Sequence, residues 1–368
     1  MGGLFSSTHD DSEQRFLMGV TGKRFDTREQ IHEGIEHLLQ HADKVTEVVL
    51  SQNSYGPEAC KAISESLSHC INLRIANLSD IFVGRLREEM IQSMQHLSTA
   101  LLNCPNLEVL NVRDNAFGPD GVRAFSILLE TCPNLKELNV TNDGLGPDGA
   151  RLIAEALKKN PNIKLEVFEA GRSRLENPGI IELAQVFGQM RSLRKISIPQ
   201  NGIKKEGMIA LFRNLMNNSE LQMIEVNDNY LNDDEAAQCL SACIESLTYL
   251  SVVNIGDCML GDKGAGKVFS ALKNSNPHLM ELYVQYNELS TGRSVDDLIE
   301  LAMIRENLVK LHLQGNDFKK SSKAVIKENV GKRETEIEVK FYSSGEEEFD
   351  EDDEEVELDE ENQKDKDD

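Results

Sequence analysis

The segment LEVLNVRDNAF (107–117) is followed, 28 residues later, by LKELNVTNDGL (135–145), and the two share one pattern of apolar residues. The fourth and sixth positions of each segment are apolar and alternate with polar residues, as in a strand with one buried face. We find ten copies of the pattern between residues 45 and 318, the weakest at 165–175 and 70–80. The last seven intervals between copies are 28–30 residues long. Self-similarity at this period indicates a repeat protein.

The residues between the copies have helical periodicity. Ala150, Ile153, Ala154 and Leu157 share one helix face, and Gly-Pro-Asp (146–148) is typical of a helix start, where proline is tolerated. A short strand and a full helix in each unit predict an α/β leucine-rich-repeat solenoid, a horseshoe like that of ribonuclease inhibitor, with a parallel sheet inside and helices outside. The ninth position of the pattern, usually asparagine, should turn inward and satisfy backbone groups. The residues at this position are Asn53, Asn115, Asn201, Asn229, Asn287 and Asn316, with Cys258 in one unit.

Both ends of the chain and one loop depart from the repeat. We predict a flexible N-terminus over residues 1–25, a repeat domain over 26–341 that begins with a capping helix (27–42), and an acidic disordered tail over 342–368. The buried stripe expected on the capping helix is Ile31, Ile35, Leu38 and Leu39. If Leu73 and Leu110 mark the second and third strands, the step between them is 37 residues. The surplus falls at 79–89, which predicts a long loop, and such loops often carry function.

Charge and cysteine content limit the classes of partner. The 368 residues have a formal net charge of −24, and the tail from 346 to 368 contributes most of it. This balance argues against nucleic acid and anionic membranes as partners, and no apolar run predicts stable membrane insertion. Seven cysteines without a C-x-x-C pair fit a reducing compartment. The first six residues, MGGLFS, fit a myristoylation motif with Gly2 as the acceptor.

Two further motifs are weak. GDKGAGKV (261–268) begins like a phosphate-binding loop, but Val268 stands where serine or threonine would hold Mg²⁺. Glu33, His37 and His41 could share a helix face and bind zinc, but no fourth ligand is evident, so a solvated face is the better interpretation. We therefore predict no metal and no cofactor.

Four segments resemble one family of leucine-rich-repeat proteins. They are SDIFVGR (79–85), DNAFGPDGV (114–122), AGRSRLEN (170–177) and PQNGI (199–203), followed by the acidic tail. In this order they are similar to RanGAP, the GTPase-activating protein of the small GTPase Ran. The resemblance covers roughly residues 45–320 and the tail. It implies a protein that is no enzyme by itself: it binds Ran in its GTP form, supports nucleocytoplasmic transport and acts in the cytoplasm, with the nuclear periphery as a narrower alternative.

The resemblance also assigns residues. It implies that Asn142 helps to fix the catalytic glutamine of Ran, and that Arg85 holds the loop in shape or contributes charge. We expect Arg85 to be exposed and to pair with Asp80. Val83, Ser173 and Asp143 depart from the residues usual in the family; Asp143 cannot donate a hydrogen bond when ionised.

The eighth position of each copy points out where the strand ends, which predicts a polar edge beside the long loop. Asp80, Asp114, Arg172 and Arg174 are the candidate partner-binding residues. The residues that this register places at the eighth position are Gln52, Asn77, Asp114, Asn142, Arg172, Gln200, Asp228, Asp257, Tyr286 and Gly315.

The alternative function is that of a non-catalytic leucine-rich-repeat inhibitor or scaffold that binds a basic partner. An acidic horseshoe with this repeat length also resembles ribonuclease inhibitor, which wraps a basic enzyme. An acidic-tailed histone chaperone fits less well, because that kind has shorter repeats without these helices. An enzyme with an active site of its own is the least favoured class. Stimulation of GTP hydrolysis separates the first two functions.

Overall fold

The computed structural model describes residues 15–18, 20–290 and 293–342, in which short strands alternate with helices. In chain order the strands are β1 (Arg15–Leu17), β2 (Arg24–Phe25), β3 (Glu47–Val49), β4 (Ser54–Tyr55), β5 (Ile75–Asn77), β6 (Val109–Asn111), β7 (Glu137–Asn139), β8 (Val167–Glu169), β9 (Lys195–Ser197), β10 (Met223–Glu225), β11 (Val252–Asn254), β12 (Glu281–Tyr283), β13 (Lys310–His312) and β14 (Glu338–Lys340). The helices are α1 (His32–Gln40), α2 (Pro57–Leu67), α3 (Arg87–Leu101), α4 (Gly118–Thr131), α5 (Gly146–Lys159), α6 (Glu176–Met190), α7 (Lys205–Leu215), α8 (Asp234–Ser246), α9 (Gly261–Ser275), α10 (Arg293–Ile304) and α11 (Lys320–Val330).

One parallel sheet runs through the described residues. It has 12 strands in the order β1-β3-β5 and then β6 to β14, while β2 and β4 form a separate pair. Each helix packs beside the helix of the next unit, so the apolar residues of strands and helices form one continuous core. Leu110, Val112, Leu138 and Val140 are fully buried, as the period-2 alternation predicts. The leucine-rich-repeat solenoid is therefore confirmed.

The second unit has a different register from the one predicted. Its strand is centred on Ala76, which pairs with Val48 on one side and Leu110 on the other, rather than on Leu73. The unit was misread because alanine fills the central strand position and Ile81 replaces the usual asparagine. The eighth residue of this unit is consequently Asp80 and not Asn77. The step from Ala76 to Leu110 is 34 residues, so the loop surplus is smaller than predicted.

The sheet extends beyond the ten predicted strands at both ends. Phe16 pairs with Val48 in β1, so ordered structure begins before the boundary predicted at residue 26. At the other end β14 pairs with β13. The capping helix is present as a 3₁₀ turn followed by α1, but Leu39 is 51% exposed and does not belong to its buried stripe. Gly2 and the tail from residue 343 lie outside the described residues.

Two further features follow from the packing. All seven cysteines are free and six of them are buried, as expected for small apolar side chains. No helix in the described segments combines the length and the apolarity needed to cross a bilayer.

Candidate functional site

The turn after each strand has the same backbone conformation, and it places one side chain per unit on a single edge of the solenoid. The eighth residue of every unit has a positive φ. In the units from Asp80 to Tyr286 its N–H donates to a carbonyl of the next unit, for example from Asn142 to Gly171 at 2.8 Å. We call this row of eighth residues the turn edge. Its members are Gln52, Asp80, Asp114, Asn142, Arg172, Gln200, Asp228, Asp257, Tyr286 and Gly315.

Asn142 is exposed near the middle of the turn edge. Its Nδ2 donates to Asp114 Oδ1 at 2.9 Å, and Asp114 is held in turn by Arg113, whose Nε lies 3.3 Å from Asp114 Oδ2. No described residue donates to Asn142 Oδ1. An amide can donate and accept at the same time, so Asn142 has one fixed end and one end free for a partner. Asparagine also tolerates the left-handed conformation at this position, where φ is 59°.

Of the other candidate partner-binding residues, Asp80, Asp114 and Arg172 belong to the turn edge, and Arg174 lies two residues after Arg172 in the same turn. Arg172 and Arg174 follow Asn142 in the next unit and are both exposed, with φ of 52° and 56°. Neither guanidinium makes an ion pair or hydrogen bond within the described part of the chain. Asp80 and Asp114 precede Asn142 and are half-buried. The turn edge thus presents carboxylates on one side of Asn142 and free guanidinium groups on the other.

Beneath the turn edge, the ninth residues form a ladder that joins neighbouring units. In a typical unit the side-chain oxygen of Asn201 accepts from the backbone N–H groups of Ser173 and Leu175, and its Nδ2 donates to the carbonyls of Ala170 and Ile198. Ser173 and Cys258 replace the amide with a weaker donor, from Ser173 Oγ to Val140 O at 2.8 Å and from Cys258 Sγ to Val226 O at 3.5 Å. The predicted structural role of the ninth position is confirmed.

Asp143 is the acidic member of the ladder, directly after Asn142. It is fully buried, and its Oδ1 accepts from the N–H of Asn115 at 2.8 Å and of Ala116 at 3.2 Å. Its Oδ2 has no hydrogen-bond partner among the described residues. Burial raises the pKa of Asp143 well above its ordinary value, and the negative charge of Asp114 adds to this shift.

Arg85 lies under the loop and not on its surface. Its side chain is 0% exposed, and it pairs with Asp26 rather than with Asp80. Nε donates to Ser54 Oγ at 2.8 Å, and Nη2 donates to the carbonyls of Phe25 and Ser54 at 3.0 and 2.9 Å. The expectations of an exposed Arg85 and an Asp80 pair are both wrong, because the guanidinium satisfies backbone groups of β2 and β4 below the loop.

The arginine therefore joins three segments that are distant in sequence. Ser54 Oγ donates to Val83 O at 2.7 Å, which connects β4 to the loop. Gly56 leaves room for the guanidinium, since a Cβ there would lie 2.9 Å from Arg85 Nη1. We call the group Asp26, Ser54, Gly56 and Arg85 the arginine clamp. At the tip of the loop, Val83 and Leu86 are 63% and 68% exposed.

The two weak motifs do not assemble into sites. Residues 261–268 form the beginning of α9 rather than a loop, Val268 is buried, and Lys267 Nζ lies 2.6 Å from Asp234 Oδ1. His41 Nδ1 lies 2.9 Å from the backbone oxygen of His37. The described residues contain no group of three side chains that could hold a metal ion.

Comparison with known proteins finds a matching repeat family and several homologues. The family described as Leucine Rich repeat matches residues 103–126 and 131–154, which include Asp114 and Asn142. Ran GTPase-activating protein 1 of Saccharomyces cerevisiae is 28% identical over 334 residues, which cover 85% of this chain and 81% of the relative. Ran GTPase-activating protein 1 of Xenopus laevis is 34% identical over 165 residues, 42% of this chain and 28% of the relative. The chain is a homologue of the Ran GTPase-activating proteins.

The homologues differ in how far they extend. This chain spans most of the yeast relative but less than a third of the frog one. A solved structure described as the crystal structure of Rad7 and Elc1 complex in yeast is 14% identical, with a TM-score of 0.51, and the match covers 83% of this chain and 77% of that one. At this identity the likeness concerns the fold alone.

Sequence reasoning missed most of the arginine clamp. Asp26 lies between the predicted flexible N-terminus and the capping helix, and Ser54 is the tenth residue of the first repeat copy, so the pattern assigns no special role to either. No periodic signal connects Asp26 to Arg85, which are 59 residues apart. The local sequence RFD (24–26) contains one apolar residue between charged ones and gives little sign of the strand β2.

Proposed function

We propose that this chain is a GTPase-activating protein that stimulates GTP hydrolysis by Ran and binds Ran in its GTP form. The names of the homologues support this assignment. The observation on which it rests within the molecule is Asn142, an exposed amide in a left-handed turn, fixed at one end by Asp114 and free at the other.

The geometry suits a positioning role for Asn142. GTP hydrolysis requires a water in line with the γ-phosphate, and the GTPase supplies the glutamine that orients this water. The free amide oxygen of Asn142 can accept from the side-chain amide of that glutamine and restrict its rotamers. Because the amide is pre-oriented by Asp114, little entropy is lost when the complex forms. In this proposal the nucleotide site belongs to the partner, and this chain acts on it as an activator.

The remaining candidates have different roles in the proposal. Arg172 and Arg174 contact acidic groups of the GTPase, because their guanidinium groups are exposed and have no described partner. Asp80 and Asp114 face basic groups on the other side of Asn142. Arg85 is too deeply buried to reach a partner, so it acts by holding the loop of Val83 and Leu86 in place.

We place this activity in nucleocytoplasmic transport, in the cytoplasm or at the nuclear periphery, because a Ran activator is needed where Ran–GTP arrives from the nucleus. The acidic segment 346–368 would assist the encounter with basic surfaces at low salt. Myristoylation of Gly2 stays a separate prediction that intact-mass measurement of the native protein tests.

The deciding experiment is single-turnover hydrolysis of GTP loaded on Ran, with this chain at substoichiometric concentration. Completion of a GTPase site by an activator can raise the rate about 10³–10⁵-fold. We expect acceleration in this range for Ran and little for unrelated small GTPases in the same panel. An inhibitor or scaffold would bind without turnover of the GTP. An unchanged hydrolysis rate for Ran would contradict the proposal.

A further inference from the structure

The ladder follows a rule that can be read from the units with a standard amide. In four units the Nδ2 of the ninth residue donates to the sixth-position carbonyl of its own unit and to that of the preceding unit. Asn201 Nδ2 donates to Ile198 O at 3.0 Å and to Ala170 O at 2.9 Å. Asn229 Nδ2 donates to Val226 O at 2.9 Å and to Ile198 O at 3.1 Å. Asn115 and Asn316 have the same two partners in their units.

The two carbonyls that correspond to Asp143 are those of Val112 and Val140, and each accepts from one ladder side chain. Val112 O accepts from Asn115 Nδ2 at 2.6 Å, and Val140 O accepts from Ser173 Oγ at 2.8 Å. The second donor of each would come from the ninth residue of the unit at 135–145, which is Asp143. Its Oδ1 is already occupied by two backbone N–H groups, and its Oδ2 is the buried atom without a partner. If Oδ2 takes the place that Nδ2 has in the asparagine units, an ionised carboxylate would bring an oxygen without a hydrogen toward these two carbonyl oxygens.

We propose that Asp143 carries a proton on Oδ2 at neutral pH, donates it to the carbonyl of Val112 or Val140, and as a neutral acid positions the turn of Asn142. Protonated aspartic acid supplies one O–H donor and one acceptor oxygen at the place where the asparagine of other units supplies two N–H donors and one acceptor oxygen. The part of this proposal that concerns Asn142 rests on the proposed function, whereas the protonation does not.

The surroundings of Asp143 favour the neutral form. Burial is the largest cause of its raised pKa, and the two N–H groups that hydrogen bond to Oδ1 oppose this shift without cancelling it. The charge of Asp114 raises the pKa further. Charged residues in the flanking turns and at the starts of the adjacent helices are Arg113, Asp114, Asp120, Asp148, Arg172 and Arg174.

The protonated acid connects the layers around Asn142. Through Oδ1 it holds the N–H groups of the preceding turn, and its own carbonyl accepts from Gly118 N at 2.9 Å, at the start of α4. Asn142 lies between this anchor and its own backbone bond to Gly171 O at 2.8 Å. Loss of the proton would leave a buried charge directly below the residue that we propose to act on the GTPase.

The sign of the pH dependence follows from the raised pKa. The folded chain keeps the proton at a pH where the unfolded chain has lost it, so unfolding releases a proton between the two pKa values. In that window the stability that this group contributes falls as pH rises, and the folding equilibrium constant changes by up to tenfold per pH unit. Below the unfolded pKa this contribution is complete, and above the folded pKa it is lost.

The first experiment measures the proton directly in the full chain. We would compare urea unfolding of the wild type and Asp143→Asn from pH 5 to pH 8, and follow the ¹³C-labelled carboxyl carbon of Asp143 by NMR, assigned from its loss in the variant. Asp148→Asn is the matched control, because Asp148 lies in the same unit but its side chain is 68% exposed.

We expect the ratio of the wild-type folding constant to that of Asp143→Asn to fall as pH rises, by up to tenfold per pH unit. The Asp148→Asn variant should lack this difference from the wild type, and the Asp143 carboxyl signal should keep its protonated position at pH 7. A carboxyl that is ionised at pH 7, or parallel stability curves for the wild type and Asp143→Asn, would overturn the proposal.

The second experiment separates positioning from folding. With Ran–GTP saturating, Asp143→Ala should lower the maximal hydrolysis rate about 10- to 100-fold, a typical loss for a misplaced group, while affinity for Ran with a non-hydrolysable analogue changes less. Asp143→Asn should restore the rate, and the wild-type rate relative to it should decline as pH rises. Equal rates for all three proteins would refute the positioning role. If the wild type does not stimulate Ran at all, the proposed function fails, and the NMR and unfolding data still decide the protonation.

Discussion

Arg85 and Asn142 both lie in connections between a strand and its helix, on the same side of the solenoid, but their surroundings are opposite. The guanidinium of Arg85 is fully buried and bonds to Asp26, to the Ser54 hydroxyl and to two backbone carbonyls. Asn142 is exposed and has a single described side-chain hydrogen bond, to Asp114. The guanidinium of Arg85 thus makes its hydrogen bonds inside the fold, whereas Asn142 keeps its Oδ1 available for a partner.

This contrast separates two ways in which a residue can affect activity. A substitution at Arg85 should act through stability and through the position of the loop, since the side chain cannot reach another protein without unfolding its surroundings. A substitution at Asn142 should act on the rate and leave the fold intact. Measurements of both rate and stability on the same variants therefore test whether the two residues act in these different ways.

The largest effect is expected at Asn142. Removal of one positioned hydrogen-bonding group from a catalytic site typically costs about 10²–10³ in rate. We expect Asn142→Ala to lower the maximal rate of GTP hydrolysis by Ran by this factor. The affinity for Ran bound to a non-hydrolysable GTP analogue should change less. Asn142→Gly is the matched control, because glycine adopts the positive φ without strain. A wild-type rate in the glycine variant would show that the amide is not needed.

The second effect is a loss of stability at Arg85. Removal of a buried charged partner leaves several groups unsatisfied, and we expect Arg85→Ala to lower the free energy of unfolding by about 2–4 kcal/mol. Lysine has one donor centre and should restore little of this loss. Urea unfolding at pH 7 measures it, with Arg87→Ala as control, since Arg87 is exposed and pairs with Asp120 at the surface. Equal free energies of unfolding for Arg85→Ala and Arg87→Ala would contradict a stabilising role of the buried Arg85.

The sequence predicted an exposed Arg85, whereas its side chain is buried. The reason lies in what repeat periodicity can report. Repeat periodicity reports burial along one strand and one helix, so it predicts Leu138 and Asn201 well. It carries no information on contacts between segments that are not periodic neighbours. The pair of Asp26 and Arg85 depends on the small sheet of β2 and β4, whose strands are only two residues long.

The predicted register of the second unit is wrong for a related reason. The pattern was anchored on leucine and asparagine, and this unit has Ala76 in the centre of its strand and Ile81 in the ladder. Pairing with β3 and β6 fixes the register, which sequence spacing alone could not do. The turn edge around Asn142 was predicted correctly because every unit from β6 onward keeps the standard spacing.

A third test probes the space inside the arginine clamp. A Cβ at Gly56 would lie 2.9 Å from Arg85 Nη1 and 3.3 Å from Asp26 Oδ1, so Gly56→Ala must displace the ion pair. The backbone there is extended, with φ of −83°, and would accept alanine without strain. We expect a loss of about 1–2 kcal/mol in the free energy of unfolding. Gly266→Ala in α9 should be neutral or stabilising, because its Cβ meets only Asp297 Oδ2 at 3.4 Å. An unchanged free energy of unfolding in Gly56→Ala would contradict close packing inside the arginine clamp.

The smallest effect concerns the acid limb of the stability curve. The hydrogen bond from Arg85 holds the pKa of Asp26 below its ordinary value. The stability that this carboxylate contributes is therefore present above the unfolded pKa and is lost as pH falls through the lower folded pKa. Since the Asp26 side chain is 48% exposed, solvent screening limits the contribution to roughly 1 kcal/mol or less. Asp26→Asn should remove this part of the acid dependence in the wild type and have no such effect when Arg85 is already alanine. The same acid dependence in both backgrounds would show that Asp26 titrates independently of Arg85. The contrast between the buried Arg85 and the exposed Asn142 would then rest on the hydrogen bonds of Arg85 to Ser54 and to the Phe25 carbonyl.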